Sequence, residues 1–265
     1  PIYNSGSGYV GDNDLEEELT NRDPRLYQIV DNNHKPYYVR NGVRDLNEAA
    51  NRVGASKSVT GYDCVKFHHA NTVQQEARSS SFDWFVYRYA EVLLINAEAH
   101  AELGTCTQEV LDKTINKLRD RVDMPHLTTT PVTDAKPINY GYTLSNLIYE
   151  IRRERRIELI AEGFRLDDLK RWNAMKLMEN PKTMFGIRIT PKSISGFPEG
   201  TFDSKTGRPT IEYNGATYLY QYKAAKQLDD AGRKWKDNDR RFLYPLPKQE
   251  LVLNKALNPQ NPGWE

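Results

Sequence analysis

Residues 151–172 read IRRERRIELIAEGFRLDDLKRW, and this stretch decides how the fold is interpreted. Acidic and basic side chains recur in it at helical spacing, between Ile, Leu, Phe and Trp residues that are typical of a core. A charge beside apolar neighbours is tolerated when an opposite charge pairs with it. We therefore predict an internal ion-pair network that joins two helices and has a structural role. Its predicted members are Glu154, Arg155, Glu158, Arg165, Asp168 and Arg171.

The composition argues against several classes of partner. The 265 residues carry a formal net charge of +1 without a long basic block, so we expect neither a nucleic acid nor an anionic membrane surface as a partner. The longest clear apolar run, residues 92–95, is far shorter than the roughly 18 residues of a membrane-spanning helix. Cys64 and Cys106 match no metal-ligand spacing, and the sequence leaves open whether they form a disulfide or remain free thiols.

Three segments differ in their sequence pattern. Residues 1–87 are rich in Gly, Pro, Asn and Asp and predict loops, with one short acidic helix at 14–19. Residues 88–180 have helical periodicity and predict a helical core. Residues 181–265 predict a loop, a β-hairpin and a C-terminal tail, and the hairpin turn falls at Asn214-Gly215.

The helical segment predicts a pair of antiparallel helices of the tetratricopeptide kind. The first helix runs from residue 88 to a stop at Gly104, and the second begins at a capping box formed by Thr105 and Gln108. Such a pair cannot bury its outer face alone and needs further helices against it. Two more helices are predicted, from Thr143 to Gly163 and over 165–178. The apolar face predicted for the first helix comprises Tyr89, Val92, Leu93, Ala97 and Leu103.

The common sequence motifs of catalysis are missing from the sequence. It has no phosphate-binding Gly loop, no Gly-x-Ser-x-Gly and no His-Glu-x-x-His, and we expect no cofactor and no metal. His68 and His69 are adjacent, so their side chains diverge on a strand and on a helix alike. A glycosidase needs two opposed carboxylates, and with 36 acidic residues this alternative stays open.

Aromatic residues in loops are the candidates for binding a ligand. The chain contains 16 Tyr and 4 Trp, and exposed rings beside Asn, Asp and Arg suit a polyhydroxylated ligand such as a sugar. A second group of Tyr residues lies on the predicted hairpin, where packing across the strands is the simpler interpretation. The predicted ligand-binding residues are Tyr3, Tyr9, Tyr37, Tyr38 and Trp84.

Several motifs together resemble the SusD/RagB family of nutrient-binding outer-membrane lipoproteins of Bacteroidetes. They occur in the family's order over nearly the whole chain, and Trp264 stands where the family usually has Tyr. The matching motifs are Asp23-Pro24-Arg25-Leu26, Gly61-Tyr62, residues 88–99, residues 115–119, Glu154 to Leu159, Glu162 to Arg165, Asp168 to Trp172, Tyr244-Pro245-Leu246-Pro247 and residues 258–264.

The resemblance implies a mainly α, SusD-like fold, of which residues 1–265 would form the C-terminal portion of a single domain. It also implies a non-enzymatic protein on the extracellular face of the outer membrane, with a lipid anchor on an N-terminal half that this sequence does not include. Such a protein captures glycan fragments and delivers them to a SusC-like TonB-dependent transporter. Peptide capture, as in RagB-like members, is the alternative within the family, and a helical-repeat scaffold without a small ligand is the alternative outside it.

Overall fold

Short helices dominate the architecture. A computed structural model describes residues 10–32, 38–40, 43–45, 58, 60–83, 85–195, 202, 208–220 and 233–264, with 38–40 and 43–45 described by their backbone. The helices are α1 (Leu15–Leu19), α2 (Pro24–Ile29), α3 (Tyr89–Glu102), α4 (Gln108–Lys113), α5 (Ile115–Asp120), α6 (Asn146–Glu158), α7 (Arg165–Arg171) and α8 (Lys248–Leu253). Two antiparallel hairpins pair β1 (Tyr38–Arg40) with β2 (Val43–Asp45), and β3 (Thr210–Tyr213) with β4 (Ala216–Leu219). The prediction of a mainly α fold with a small hairpin is confirmed.

The main core lies where α3 packs against α6 and α5. Leu94 of α3, Ile115 of α5 and Ile151 of α6 are fully buried in it. Burying one such side chain stabilises the fold by about 1.5–3 kcal/mol. A second, smaller core surrounds Trp172, just after α7, and includes Tyr140.

The buried face of α3 differs from the predicted one. Leu93 and Ala97 are buried as predicted, but Tyr89, Val92 and Leu103 are 67%, 56% and 76% exposed. The buried face instead includes Ala90 and Leu94, because the small Ala side chains let α3 approach α6 closely. Apolar residues therefore lie on both faces of α3, and one face is uncovered among the described residues.

The second predicted helix is divided into α4 and α5. Thr107, and not Thr105, is the N-cap of α4, and its hydroxyl accepts a hydrogen bond from the backbone N–H of Val110 at 3.3 Å. Thr114 interrupts the helix with φ −125° and ψ −93°, and its hydroxyl donates to the carbonyl of Val110. A threonine hydroxyl that bonds to the preceding turn competes with the helical backbone pattern, and the prediction missed this break.

The helices that carry the charged stretch are shorter than predicted. Ser145, and not Thr143, caps α6, and α6 ends at Glu158, before the left-handed residues Ala161 and Gly163. Helix α7 ends at Arg171, because Asn173 takes a left-handed conformation with φ 49°. A 3-10 helix, Met175–Glu179, continues the chain where the longer helix was predicted.

The predicted hairpin turn is confirmed. Asn214 and Gly215 have φ angles of 51° and 75°, which suit a tight turn between paired strands, and Tyr213 pairs with Ala216. The extended segment around Ile187 joins this hairpin through hydrogen bonds with Leu219, and the backbone N–H of Ile187 also donates to the carbonyl of Thr60 at 2.8 Å. The hairpin thereby attaches residues near 60 to the C-terminal part of the chain.

The rings of the β3–β4 hairpin pack on one another. Phe185 stacks on Tyr218 with centroids 5.2 Å apart, and it meets Tyr213 and Tyr220 edge to face at 5.2 and 5.8 Å. This arrangement matches the packing interpretation of these tyrosines. In the described part of the chain, Cys64 and Cys106 are free thiols. None of the helices described here combines the length and apolar character that a membrane crossing needs.

Candidate functional site

Helix α6 places two acidic side chains in a buried ion-pair network with α2. Glu154 and Glu158 are 2% and 3% exposed. Arg25 donates from Nη1 to Glu154 at 2.5 Å and to Glu158 at 3.2 Å, and from Nη2 to Asp23 at 2.7 Å. On the other side, Arg119 of α5 donates to Glu154 at 2.9 Å. Three helices are thus joined through the carboxylates of one helix face.

The network continues to the start of α3. Arg88 donates to Glu158 at 3.1 Å and to both carboxylate oxygens of Glu162, at 2.7 and 2.8 Å. Lys66 also donates to Glu162, at 2.5 Å. Burial raises the pKa of Glu162, but the hydrogen bonds from Arg88 and Lys66 outweigh this effect, so its pKa lies below the ordinary value. Glu162 is therefore ionised at neutral pH.

A second group of charges connects α7 with α6 and α3. Arg155 donates from Nε to both oxygens of Asp168, at 2.9 and 3.0 Å, and Arg171 donates to Asp168 at 2.8 Å. Arg171 also donates two hydrogen bonds to Glu98 in a bidentate ion pair, at 2.7 and 2.8 Å. Trp172 donates its indole N–H to Glu98 at 2.5 Å. The contacts with Glu98 attach the end of α7 to α3.

The sixth predicted member of the network behaves differently. Arg165 forms no ion pair within 4.0 Å with the residues that the structure describes, because Arg155 and Arg171 already occupy Asp168. Burial, together with repulsion from Arg156, lowers the pKa of Arg165 below its ordinary value.

Sequence reasoning missed several partners in the network. Arg25, Glu98 and Arg119 lie outside the charged stretch, and spacing within that stretch cannot select partners from distant segments. A signal for Arg25 was nevertheless present, because Asp23-Pro24 is typical of a helix start. Asp23 is indeed the N-cap of α2, and its carboxylate accepts from the backbone N–H of Arg25 at 3.0 Å.

An aromatic cavity of about 530 Å³ opens beside the end of α7. We call it the Trp235 cavity. It is formed by the loop before α6, the residues after α7 and the segment after residue 234. Its lining contains aromatic rings, side-chain amides and charged groups. Its lining includes Tyr142, Asn173, Lys176, Trp235, Asp237, Asn238, Asp239 and Phe242.

Ring packing and hydrogen bonds fix the positions of Trp235 and Tyr142 in the cavity. Trp235 meets Phe242 edge to face at 5.3 Å, and its backbone N–H donates to Glu179 at 2.7 Å. The indole N–H of Trp235 is buried and has no hydrogen-bond partner among the described residues. Tyr142 is 40% exposed, and its hydroxyl accepts from Arg152 at 2.9 Å while donating to the carbonyl of Trp172. Arg152 and the backbone of Trp172 thus orient one ring of the cavity.

Two acidic residues of the cavity are paired with cations. Arg241 donates to both oxygens of Asp239, at 2.8 and 2.6 Å, and these hydrogen bonds hold the pKa of Asp239 well below its usual range. Lys176 pairs with Asp237 at 2.7 Å, and this contact raises the pKa of Lys176. Asn173 and Asn238 both have left-handed backbones and exposed side chains at the rim. The cavity offers flat apolar faces with polar groups around them.

The aromatic residues predicted from the sequence cannot be placed in this site. Tyr3, Tyr9, Tyr37 and Trp84 lie outside the described residues. Tyr38 is described by its backbone, as the first residue of β1. These five residues remain predictions. Trp235 and Tyr142 were missed as ligand candidates, because no local signal indicates that residues almost 100 positions apart share one cavity.

Comparison with known proteins identifies the family. The SusD family matches residues 3–264 of the chain. The chain belongs to the SusD family.

Relatives and solved structures in this family are longer than the chain. SusD-like protein P2 of Formosa agariphila is 28% identical over 198 residues, which is 75% of this chain and 29% of P2. SusD-like protein P38 of the same organism is 36% identical over 88 residues, or 33% of this chain and 16% of P38. A SusD-like carbohydrate-binding protein from Bacteroides fragilis is 25% identical with a TM-score of 0.54, covering 97% of this chain and 45% of that protein. The chain thus spans less than half the length of each of these SusD-family proteins.

Proposed function

We propose that this chain belongs to a surface-exposed protein that binds glycan fragments and delivers them to a transporter. The observation that carries the proposal is the Trp235 cavity in a chain of the SusD family. Support also comes from the Bacteroides fragilis relative, which is described as a carbohydrate-binding protein. The two lines are independent, since one rests on the geometry of this chain and the other on similarity.

The chemistry of the Trp235 cavity suits a sugar. A pyranose has C–H faces that stack on rings and hydroxyl groups that need donors and acceptors. Trp235 and Tyr142 supply the rings, and Asn173 and Asn238 supply amide groups at the rim. We infer that one or two sugar units occupy the cavity.

We propose binding without bond cleavage. A glycosidase needs a carboxylic acid whose pKa is raised so that it can protonate the leaving group. Asp239 has the opposite property, because its hydrogen bonds with Arg241 lower its pKa and keep it ionised. Asp237 is paired with Lys176. These carboxylates suit contacts with sugar hydroxyls better than proton transfer.

The family also supports a location and a partner, which we propose in the same terms. SusD-family membership is consistent with the extracellular face of the outer membrane, a lipid anchor elsewhere in the polypeptide and a SusC-like TonB-dependent transporter as the partner. The uncovered face of α3 favours a larger fold around the chain, since Tyr89, Val92 and Leu103 are exposed. We propose that further helices of the same polypeptide cover this face and that the chain is part of one domain.

Calorimetric titration with a panel of neutral and acidic oligosaccharides tests the proposal. A peptide pool in the same panel separates glycan capture from the RagB-like alternative. We expect measurable binding of at least one glycan and no shortening of it during prolonged incubation, as followed by chromatography. Binding of peptides with no binding of any glycan would overturn the proposal, and so would release of shorter sugars.

A further inference from the structure

A second cavity, lined in part by α7, has a strong excess of positive charge among its described residues. It also measures about 530 Å³, within the range of about 300–1,000 Å³ that is usual for ligand pockets. We call it the Arg165 cavity. Among the described residues, its charged lining comprises one aspartate, Asp168, and four arginines, Arg155, Arg156, Arg165 and Arg233. The Trp235 cavity shares none of these residues.

The one acid among the described lining residues is already paired with arginines. Asp168 is 3% exposed and accepts hydrogen bonds from Nε of Arg155 and Nε of Arg171. The remaining guanidinium groups therefore face the cavity without a carboxylate of their own in the described part of the chain. Like charges brought together in this way repel one another, and an anion between them would remove the repulsion.

Three arginines of the lining also carry buried N–H donors that lack a hydrogen-bond partner among the described residues. Arg155 is 95% buried, since 5% of it is exposed, and its Nη1 has no hydrogen-bond partner among the described residues. Nη1 of Arg165 and Nε of Arg233 are also buried atoms without a hydrogen-bond partner among the described residues. A buried guanidinium donor without an acceptor destabilises the fold, and an acceptor bound beside it would offset that destabilisation. Three of the arginines that line the cavity thus each carry a buried N–H group without a partner among the described residues.

The apolar part of the lining indicates that the ligand also has an apolar part. Apolar side chains surround the arginines, among them Leu159, Phe164, Leu169 and Met178. A fully hydrated inorganic ion gains nothing from these surfaces, whereas an apolar body does. Planar carboxylates also match the fork of donors on a guanidinium.

We propose that the Arg165 cavity binds a carboxylate carried on an apolar body. Two sources can supply this chemistry: a free solute, or an acidic side chain of the same polypeptide from outside the described residues. The proposal is independent of glycan binding at the Trp235 cavity, because the two cavities have different linings.

Titration with benzoate and with benzamide tests the proposal. The two probes share a ring and nearly the same shape, but only benzoate carries a charge. If a free solute fills the cavity, benzoate binds at least about tenfold more tightly than benzamide, the margin expected of hydrogen bonds to a charged group. Arg165→Gln and Arg233→Gln each reduce the affinity for benzoate about tenfold and leave the affinity for benzamide unchanged. Arg78→Gln, which removes an exposed arginine outside the cavity, changes neither affinity.

A crystal structure of the complete polypeptide soaked with benzoate distinguishes the sources. Benzoate against Nη1 of Arg155 and Nη1 of Arg165 indicates a free solute. An Asp or Glu side chain of the polypeptide at the same donors, with no benzoate bound, indicates an internal carboxylate and also supports the proposal. A cavity that contains neither carboxylate overturns it, and so does measurable binding of benzoate and benzamide with equal affinity.

Discussion

Replacing Arg25 with Met tests whether the buried ion pairs stabilise the fold. Arg25 is 3% exposed, and Asp23 and Glu154 beside it are 6% and 2% exposed. Removing one partner from a buried pair typically costs about 3–5 kcal/mol, because the remaining charge is left without compensation. Met is chosen because it keeps much of the volume of the arginine stem and so limits the contribution of an empty cavity.

The remaining partners set the expected value within that range. Glu154 keeps Arg119 at 2.9 Å, and Glu158 keeps Arg88 and Arg121 at 3.1 and 2.6 Å. Asp23 loses the guanidinium that contacts both of its oxygens. We therefore expect a loss near the lower limit, about 3 kcal/mol, which is a large fraction of the 5–15 kcal/mol of a typical domain.

Urea denaturation of the purified protein measures this loss as a change in the free energy of unfolding at constant slope. The matched control is Lys113→Met, which breaks an ion pair with Glu109 whose side chains are 69% and 75% exposed. The control should lose less than about 1 kcal/mol. If Arg25→Met loses no more than this control, the buried network does not stabilise the fold and the reasoning is wrong.

Two further predictions concern a close backbone approach and the pH dependence of stability. In Gly186→Ala the new Cβ would lie 2.3 Å from the carbonyl oxygen of Thr60, so we expect a loss of about 1–3 kcal/mol; an unchanged melting temperature would contradict this contact. Because the folded-state pKa of Glu162 lies below its ordinary 4.5, the unfolded state takes up the proton first as the pH falls. The stabilisation by Glu162 is complete above about pH 5 and is lost as the pH falls toward the folded pKa. Denaturation of Glu162→Gln and wild type from pH 7 to 3 should show their stability difference shrinking toward low pH, whereas a constant difference would exclude this linkage.

Local signals were sufficient for some elements of the fold. The turn at Asn214-Gly215 needs two residues that accept positive φ, and the sequence provides both. The helix starts were predicted less accurately. Thr105 and Thr143 were predicted as N-caps, but in each case the hydroxyl residue two positions later, Thr107 or Ser145, is the N-cap. The break at Thr114 depends on one hydroxyl that bonds to Val110, and sequence periodicity does not report such a competition.

The candidate sites were beyond the reach of sequence patterns. Charge spacing in α6 indicates that Glu154 needs a cation, but Arg25 is 129 positions away in the chain. The Trp235 cavity assembles residues from three separate segments, so no single segment shows the pattern of a site. For Arg165 the spacing predicted an ion pair, but the structure leaves its Nη1 buried and without a hydrogen-bond partner among the described residues.

Calorimetric comparison of Trp235→Ala with wild type, using the glycan that binds best, tests the central claim most directly. The matched control is Tyr27→Ala, which removes a 45% exposed ring outside the cavity. We predict that Trp235→Ala weakens glycan binding about tenfold or more, since a ring at the centre of a site contributes most of its binding energy. Tyr27→Ala should leave the affinity unchanged. Equal glycan affinity of Trp235→Ala and wild type would contradict the assignment of the Trp235 cavity as the glycan site.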